Sequence, residues 1–216
     1  MTDEELDSRL PRRYDPDMVL HSPFHRYVMA VERVERLLKR TSDVLNVAGV
    51  DYAVIGGNAV AAWVATVDEA AVRSTKDVDI LFRRDDLARI TDAMRGIDFM
   101  PAEVLGVHMF VDLENPNPKT GVHVVFAGEL IRPEYRHPAP EPSQSTMSLS
   151  GFRVIDLSAL VAMKLQAYRF IDRAHIQDLL NVGLIDDRVR HALPSDLQER
   201  LRAVEASAET HGEPPE

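Results

Sequence analysis

Ile55-Gly56-Gly57-Asn58, followed by Ser74-Thr75-Lys76-Asp77-Val78-Asp79-Ile80, constrains the fold of this chain more than any other stretch. The glycine pair sits between the apolar tetrapeptide Tyr52-Ala53-Val54-Ile55 and a run of small residues, so the segment reads as strand, tight turn and helix. A second strand follows at Val78 to Phe82. Side chains alternate across a strand, which points Asp77 and Asp79 one way and sends Val78 and Ile80 into the core. Two carboxylates that close repel each other unless a cation holds them, and a hard divalent ion such as Mg2+ takes carboxylate oxygen. Gly56-Gly57 lets backbone amides approach a ligand at the positive end of the following helix, a cradle suited to phosphate. Either feature alone is weak evidence. In this order and separation they point to metal-assisted phosphoryl transfer.

Composition narrows the partners. The 216 residues suit one domain, or a core with a helical appendage, and 45% hydrophobic content is ample for a packed interior. A net charge of -10, from 35 acidic and 25 basic residues, argues against broad attraction to nucleic acid or anionic membrane and leaves only a local basic patch for a polyanion. The lack of cysteine excludes disulfides and thiolate metal sites and fits a reducing cytoplasm. The first residues, Met1-Thr2-Asp3-Glu4-Glu5, are acidic where a signal peptide is basic and then apolar, and no long uncharged apolar run follows. The expectation is a cytoplasmic protein with no membrane segment.

Along the chain, residues 1–21 mix charge and proline and read as a flexible arm. A nucleotide-site core is expected over 22–130. It opens with one long amphipathic helix, 22–48, capped by Ser22-Pro23 and ending near Gly49. A small-residue helix from Asn58 to Val67 carries Trp63, and Asp85-Asp86 opens another that Gly96 ends in a left-handed conformation. Strands are expected at Val107 to Leu113 and Val122 to Phe126, joined by the turn-rich Asn115-Pro116-Asn117-Pro118. A proline-rich connection, 131–150, leads to a helical region, 151–205, with helices at Leu157 to Phe170, Asp172 to Val182 before Gly183, and Pro194 to Val204. Residues 206–216 read as a disordered tail. The fold class is α+β: a small mixed sheet with helices on one face, followed by a C-terminal helical region.

With these residues in place, the sequence resembles the DNA polymerase beta-like nucleotidyltransferase superfamily, and within it the small bacterial members grouped with type IV toxin-antitoxin (abortive-infection) toxins. The resemblance runs from Tyr52 to Ile185. It implies a nucleotide cradle at Gly56, Gly57 and Asn58, and metal ligands at Asp77 and Asp79 for Mg2+ or Mn2+. It also implies a third acidic residue on a neighbouring strand. There the sequence departs from the pattern, because the expected position in Gly121-Val122-His123-Val124 is His123. An imidazole in place of the third carboxylate lowers the negative charge of the site by one and suits a softer metal. His123 is read three ways: as a replacement ligand or base, as a relic of a degenerate site, or as a satisfied polar residue at a sheet edge. Asp112, read alternatively as opening the turn at Asn115, and, less strongly, Glu129 are rival sources of the third acid.

In the helical region, Lys164 with Arg169 and Asp172 resembles a Lys, Arg and Asp motif of the toxin-like members, which places Lys164 near the phosphates or the attacking hydroxyl. The alternative for Lys164 is a snorkelling side chain at a domain boundary. Asp172, His175 and Asp178 share a helix face that either grips a cation or forms a solvated stripe. Arg73 and Lys76 flank the paired aspartates, as phosphate contacts or as simple charge balance. His108 and His191 have no assigned role. The resemblance thus implies a nucleotidyltransferase that binds a nucleoside triphosphate and transfers a nucleoside monophosphate to an acceptor hydroxyl of a small molecule, a protein or an RNA end. The alternative is a degenerate nucleotide-binding regulator, with an antitoxin partner or a homodimer as its company.

Overall fold

The computed structural model describes residues 22–114 and 116–209. The expected N-terminal arm and the last part of the expected tail lie outside the described residues, as does Asn115 of the expected turn. The chain opens with α1 (Pro23–Ala48), whose N-terminus is capped by the Ser22 hydroxyl accepting from the His25 amide at 3.0 Å. Its buried residues Val34, Leu38, Thr41, Ser42 and Leu45 recur at helical spacing, and Gly49 closes it at φ 61.

β1 (Tyr52–Ile55) then runs directly into α2 (Gly56–Val64), and β2 (Val78–Phe82) leads to α3 (Leu87–Arg95). A hairpin, β3 (Phe99–Val104) and β4 (Val107–Asp112), precedes β5 (Val122–Phe126). After the proline-rich stretch come the short strands β6 (Ser145–Met147) and β7 (Arg153–Ile155). Four helices follow among the described residues: α4 (Leu157–Ala167), α5 (Phe170–Asn181), α6 (Asp187–Ala192) and α7 (Ser195–Glu209). The seven strands form one mixed sheet in the order β3-β4-β5-β2-β1-β7-β6. At its centre β1 pairs antiparallel with β2 and parallel with β7, and β2 pairs parallel with β5. None of the described helices is long and apolar enough to cross a membrane.

The mixed α/β fold expected from the sequence is observed, with local differences. The pattern of isolated apolar residues in β3, β6 and β7 is too short to announce strands, and all three owe their pairing to neighbours in the sheet. Gly96 is right-handed at φ -63, and the left-handed residue after α3 is Asp98 at φ 63. The expected helix from Leu157 to Phe170 ends at Tyr168, which takes φ 50, and a new helix begins at Phe170 after Arg169. The last helix continues to Glu209, past the expected start of the tail.

Residues 131–150 do not divide the interior. A single apolar cluster runs from Val34 through Ile55 and Val124 to Leu165 and Val204. The segment is tied down on both sides: the His137 amide donates to Gln166 Oε1 at 2.8 Å, and the His137 ring meets Asp196 at 3.1 Å. Ala139, between two of the prolines, is buried and shares backbone hydrogen bonds with Gly128 and Glu129.

Candidate active site

The register of the sheet assembles the site. β1 and β2 pair with Ile55 opposite Asp79, which carries the Asp79 carboxylate over the start of α2. The fit there is close: a Cβ built on Gly56 would lie 2.0 Å from Asp79 Oδ2, and the backbone at Gly56 has φ 69. Both facts demand glycine. Gly57 is confined by contact alone, with Thr75 Oγ1 2.7 Å from the position of a Cβ. Asn58 is 8% exposed and its amide donates to the Asp77 carbonyl at 2.7 Å. It therefore fixes the backbone on which the first aspartate stands.

Asp77 lies just before β2 and Asp79 within it, and both line a cavity of about 850 Å³ together with Gly56, Lys76 and His123. Burial pushes the Asp77 carboxyl above its ordinary range; the His123 and Lys76 charges oppose this, and the Asp79 charge adds to it. Such a pair is electrostatically unfavourable as it stands, and a divalent cation relieves it. Among the described residues no three His, Asp or Glu side chains form a metal cage. This still fits Mg2+, which is held through one or two carboxylates with substrate phosphates completing its shell. Asp77 and Asp79 are the residues that would hold it.

The parallel pairing of β2 with β5 sets Asp79 beside His123. The imidazole Nδ1 stands 3.4 Å from Asp79 Oδ1, and Nε2 stands 3.2 Å from the Pro118 carbonyl. Both neighbours are acceptors, an environment that favours the ring with protons on both nitrogens. The Asp79 contact holds the His123 pKa above its ordinary value, against burial. His123 is therefore a half-buried counter-charge to Asp79 as the side chains stand.

A second wall comes from the helical region. Lys164 on α4 is 6% exposed and its Nζ donates to Asp172 Oδ1 at 3.2 Å; Asp172 on α5 is 1% exposed. Arg169 donates from Nε to Asp172 Oδ2 at 2.7 Å, and the Arg169 amide bonds the same oxygen, so Asp172 also caps α5. Burial would raise the Asp172 carboxyl, but the Arg169 bonds and the Lys164 charge outweigh it and hold it below the ordinary range. Two cations on one carboxylate leave this wall with a surplus positive charge. Lys164, Arg169 and Asp172 line the same cavity as Asp77 and Asp79. A buried lysine with a fixed partner on the cavity wall is not a snorkelling side chain.

Other expected residues stand elsewhere. Arg73 is taken up by a two-pronged pair with Asp178, at 3.0 Å on each arm, and does not line the cavity. Asp112 caps a turn, accepting from the Glu114 amide at 2.8 Å, and lines a separate small pocket; it is not a third acid for the site. Glu129 lines the cavity but is clamped by Arg84 at 2.6 and 2.7 Å. Asp172, His175 and Asp178 make neither a cation grip nor a solvated stripe, because the two aspartates serve different basic partners. His175 is buried between them with Nδ1 unbonded, and burial, then the Lys164 charge, lowers its pKa to about 4. The residues that sequence reasoning missed are Arg84, Arg132, Tyr135 and the tip of the β3–β4 hairpin, all on the cavity wall. Nothing local in the sequence marks them; their place depends on how β3 and the 131–150 segment return to the sheet.

No protein-family model and no curated protein matches this sequence. Among solved structures, the chain is similar to the antibiotic-resistance factor ANT(2'')-Ia in solution, at 14% identity and TM-score 0.52, covering 85% of this chain and 98% of that one. It is also similar to an antigenic nucleotidyltransferase-like protein from Paracoccidioides brasiliensis, at 13% identity and TM-score 0.51, covering 85% of this chain and 90% of that one. The glycine turn, the paired aspartates and the returning helical wall thus sit on a nucleotidyltransferase-type fold.

Proposed function

We propose that this protein is a cytoplasmic nucleotidyltransferase that binds a nucleoside triphosphate with Mg2+ or Mn2+ and transfers the nucleoside monophosphate to an acceptor hydroxyl. One observation carries the reading: Gly56, Asp77 and Asp79 line one cavity together with Lys164 and Arg169. The carboxylate wall suits a divalent ion and the cationic wall suits a triphosphate, so both charges of a metal-nucleotide complex are met. A bound divalent ion would supply charge stabilisation at the phosphates. In the reaction the hydroxyl oxygen bonds the α-phosphorus, the bond to the β-phosphate oxygen breaks with its electron pair, and pyrophosphate leaves. The hydroxyl proton passes to the Asp77 or Asp79 carboxylate, which His123 neighbours as a counter-charge. Gly56 keeps Asp79 in position, Asn58 keeps Asp77 in position, and Lys164 and Arg169 orient the phosphates.

The state of His123 supports a second reading. With both ring nitrogens facing acceptors, it offers no lone pair to a metal or a proton, which suits a nucleotide-binding regulator or toxin-antitoxin interaction protein that has stopped turning over. Pyrophosphate release with each nucleoside triphosphate, Mg2+ or Mn2+ and a panel of hydroxyl acceptors decides between them. Turnover that disappears in Asp79→Asn supports the transferase. Nucleotide binding that raises the Tm with no pyrophosphate under any metal supports the regulator. No response to any nucleotide refutes both, and metal-dependent binding that survives unchanged in Asp79→Asn makes the paired aspartates structural.

A further inference from the structure

The cavity is far larger than the charged end just described; its remaining wall carries Arg84 and Arg132, which pair with Glu129 and Glu134, beside a set of aliphatic side chains. Val104, Leu105, Val107, Leu130 and Ile131 line it, each more than a third exposed. Leu105 stands out. It is 98% exposed and occupies the two-residue turn between β3 and β4 with φ 53, followed by Gly106 at φ 78. Turns with both central residues at positive φ favour Asn-Gly, and leucine there is strained. An exposed leucine in a conformation that asparagine holds more easily does nothing for the hairpin, and such strain collects where a side chain meets a ligand.

Charge decides what that ligand is. Each carboxylate on the cavity wall is already engaged: Glu129 by Arg84, Asp172 by Lys164 and Arg169, and Asp79 by His123 beside Asp77 in the pair assigned to the cation. No carboxylate remains to receive an ammonium group. We propose that the hairpin tip and the Leu130-Ile131 segment form the acceptor subsite, and that the acceptor is an uncharged hydroxyl compound with an apolar body, not a polycationic aminosugar. The proposal rests on the nucleotidyltransferase reading of the cavity. It also defines what recognises the acceptor: aliphatic surface contacts the body, while the charged end of the cavity is left to the nucleotide.

The test uses octyl glucoside, kept below its micelle concentration, and kanamycin as a polycation, each titrated calorimetrically into the full-length protein and into Leu105→Asn. Saturable octyl glucoside binding is expected, weakened about tenfold by Leu105→Asn. The variant's Tm should be unchanged or higher, because asparagine relieves the turn. Kanamycin should show no saturable binding. Equal octyl glucoside affinity in the two proteins, no binding in either, or tighter binding of kanamycin overturns the proposal. So does a wild-type dimer that Leu105→Asn converts to monomer in sedimentation, which would make the tip a contact between copies. None of these measurements needs nucleotide, so their failure is distinct from a failure of the protein to respond to any nucleotide.

Discussion

His175 should make the protein lose stability in mild acid, before its carboxylates titrate. The ring is buried on α5, Nδ1 has no hydrogen-bond partner, and Lys164 stands near enough to oppose a second positive charge. Asp172 and Asp178 favour the charged form, but Asp172 is already engaged by Lys164 and Arg169, and Asp178 by Arg73. The folded-state pKa falls from 6.5 to about 4. Because this value lies below that of the unfolded chain, the unfolded state binds more protons between the two, and stability falls as pH falls through that window. The linkage relation gives a loss of about 2 kcal/mol on going from pH 7.5 to about pH 5, and about 3 kcal/mol once the lower pKa is passed. Urea unfolding of wild type and His175→Leu at several pH values above 4.5 measures it. The leucine fills the site without a stranded polar atom, so it should match or exceed wild type near neutrality and lack the acid loss. The comparison cancels His123, whose raised pKa works in the opposite direction, with stability present at low pH and lost as pH rises through the folded value. Parallel pH profiles for the two proteins would refute the reasoning and show that His175 reaches solvent or a partner in the folded state.

Further outcomes follow from the site. Gly56→Ala should destabilise the fold by about 1–3 kcal/mol in urea unfolding, since it combines positive φ with displacement of Asp79, and it should weaken nucleotide binding as well. Asp172→Asn strands a buried lysine and should cost about 3–5 kcal/mol, whereas Arg73→Ala breaks a pair whose arginine is exposed but whose aspartate is mostly covered, and should cost less, about 1–2 kcal/mol. His123→Asp restores an acid beside Asp79 and should raise Mn2+ affinity in the presence of nucleotide, read by calorimetry; unchanged affinity would place position 123 outside the metal's reach.

The central part of this arrangement was legible because it is local. The alternation of Asp77, Val78 and Asp79, the glycine pair at the end of β1 and the cap at Ser22 each require only a few neighbouring residues. His123 was singled out by the family resemblance, which marked its strand position as that of a third acid. What escaped depends on distant pairing. Whether Asp112 or His123 stands beside Asp79 is a matter of sheet order, whereas the turn that Asp112 caps is local, between residues two apart. Arg73 was ambiguous for a related reason, because its partner Asp178 lies on α5. The break at Tyr168 runs against its own residue type, and the Asp172 cap that starts the next helix outweighs it.

The parallel pairing of β1 with β7 bears on how the chain reaches its native state. β1 is a central strand made early in the sequence, yet one of its two neighbours is made only after the proline-rich segment. Contacts of such long separation form late and slow folding. A nascent chain that stops before β7 would own Asp77, Asp79 and His123 while presenting a bare central strand to other chains and lacking Lys164 altogether. Trp63, the single tryptophan, donates from its indole to the Ile155 carbonyl of β7 at 2.9 Å. Its fluorescence therefore reports the arrival of β7, and with it the moment at which the two walls of the cavity first meet.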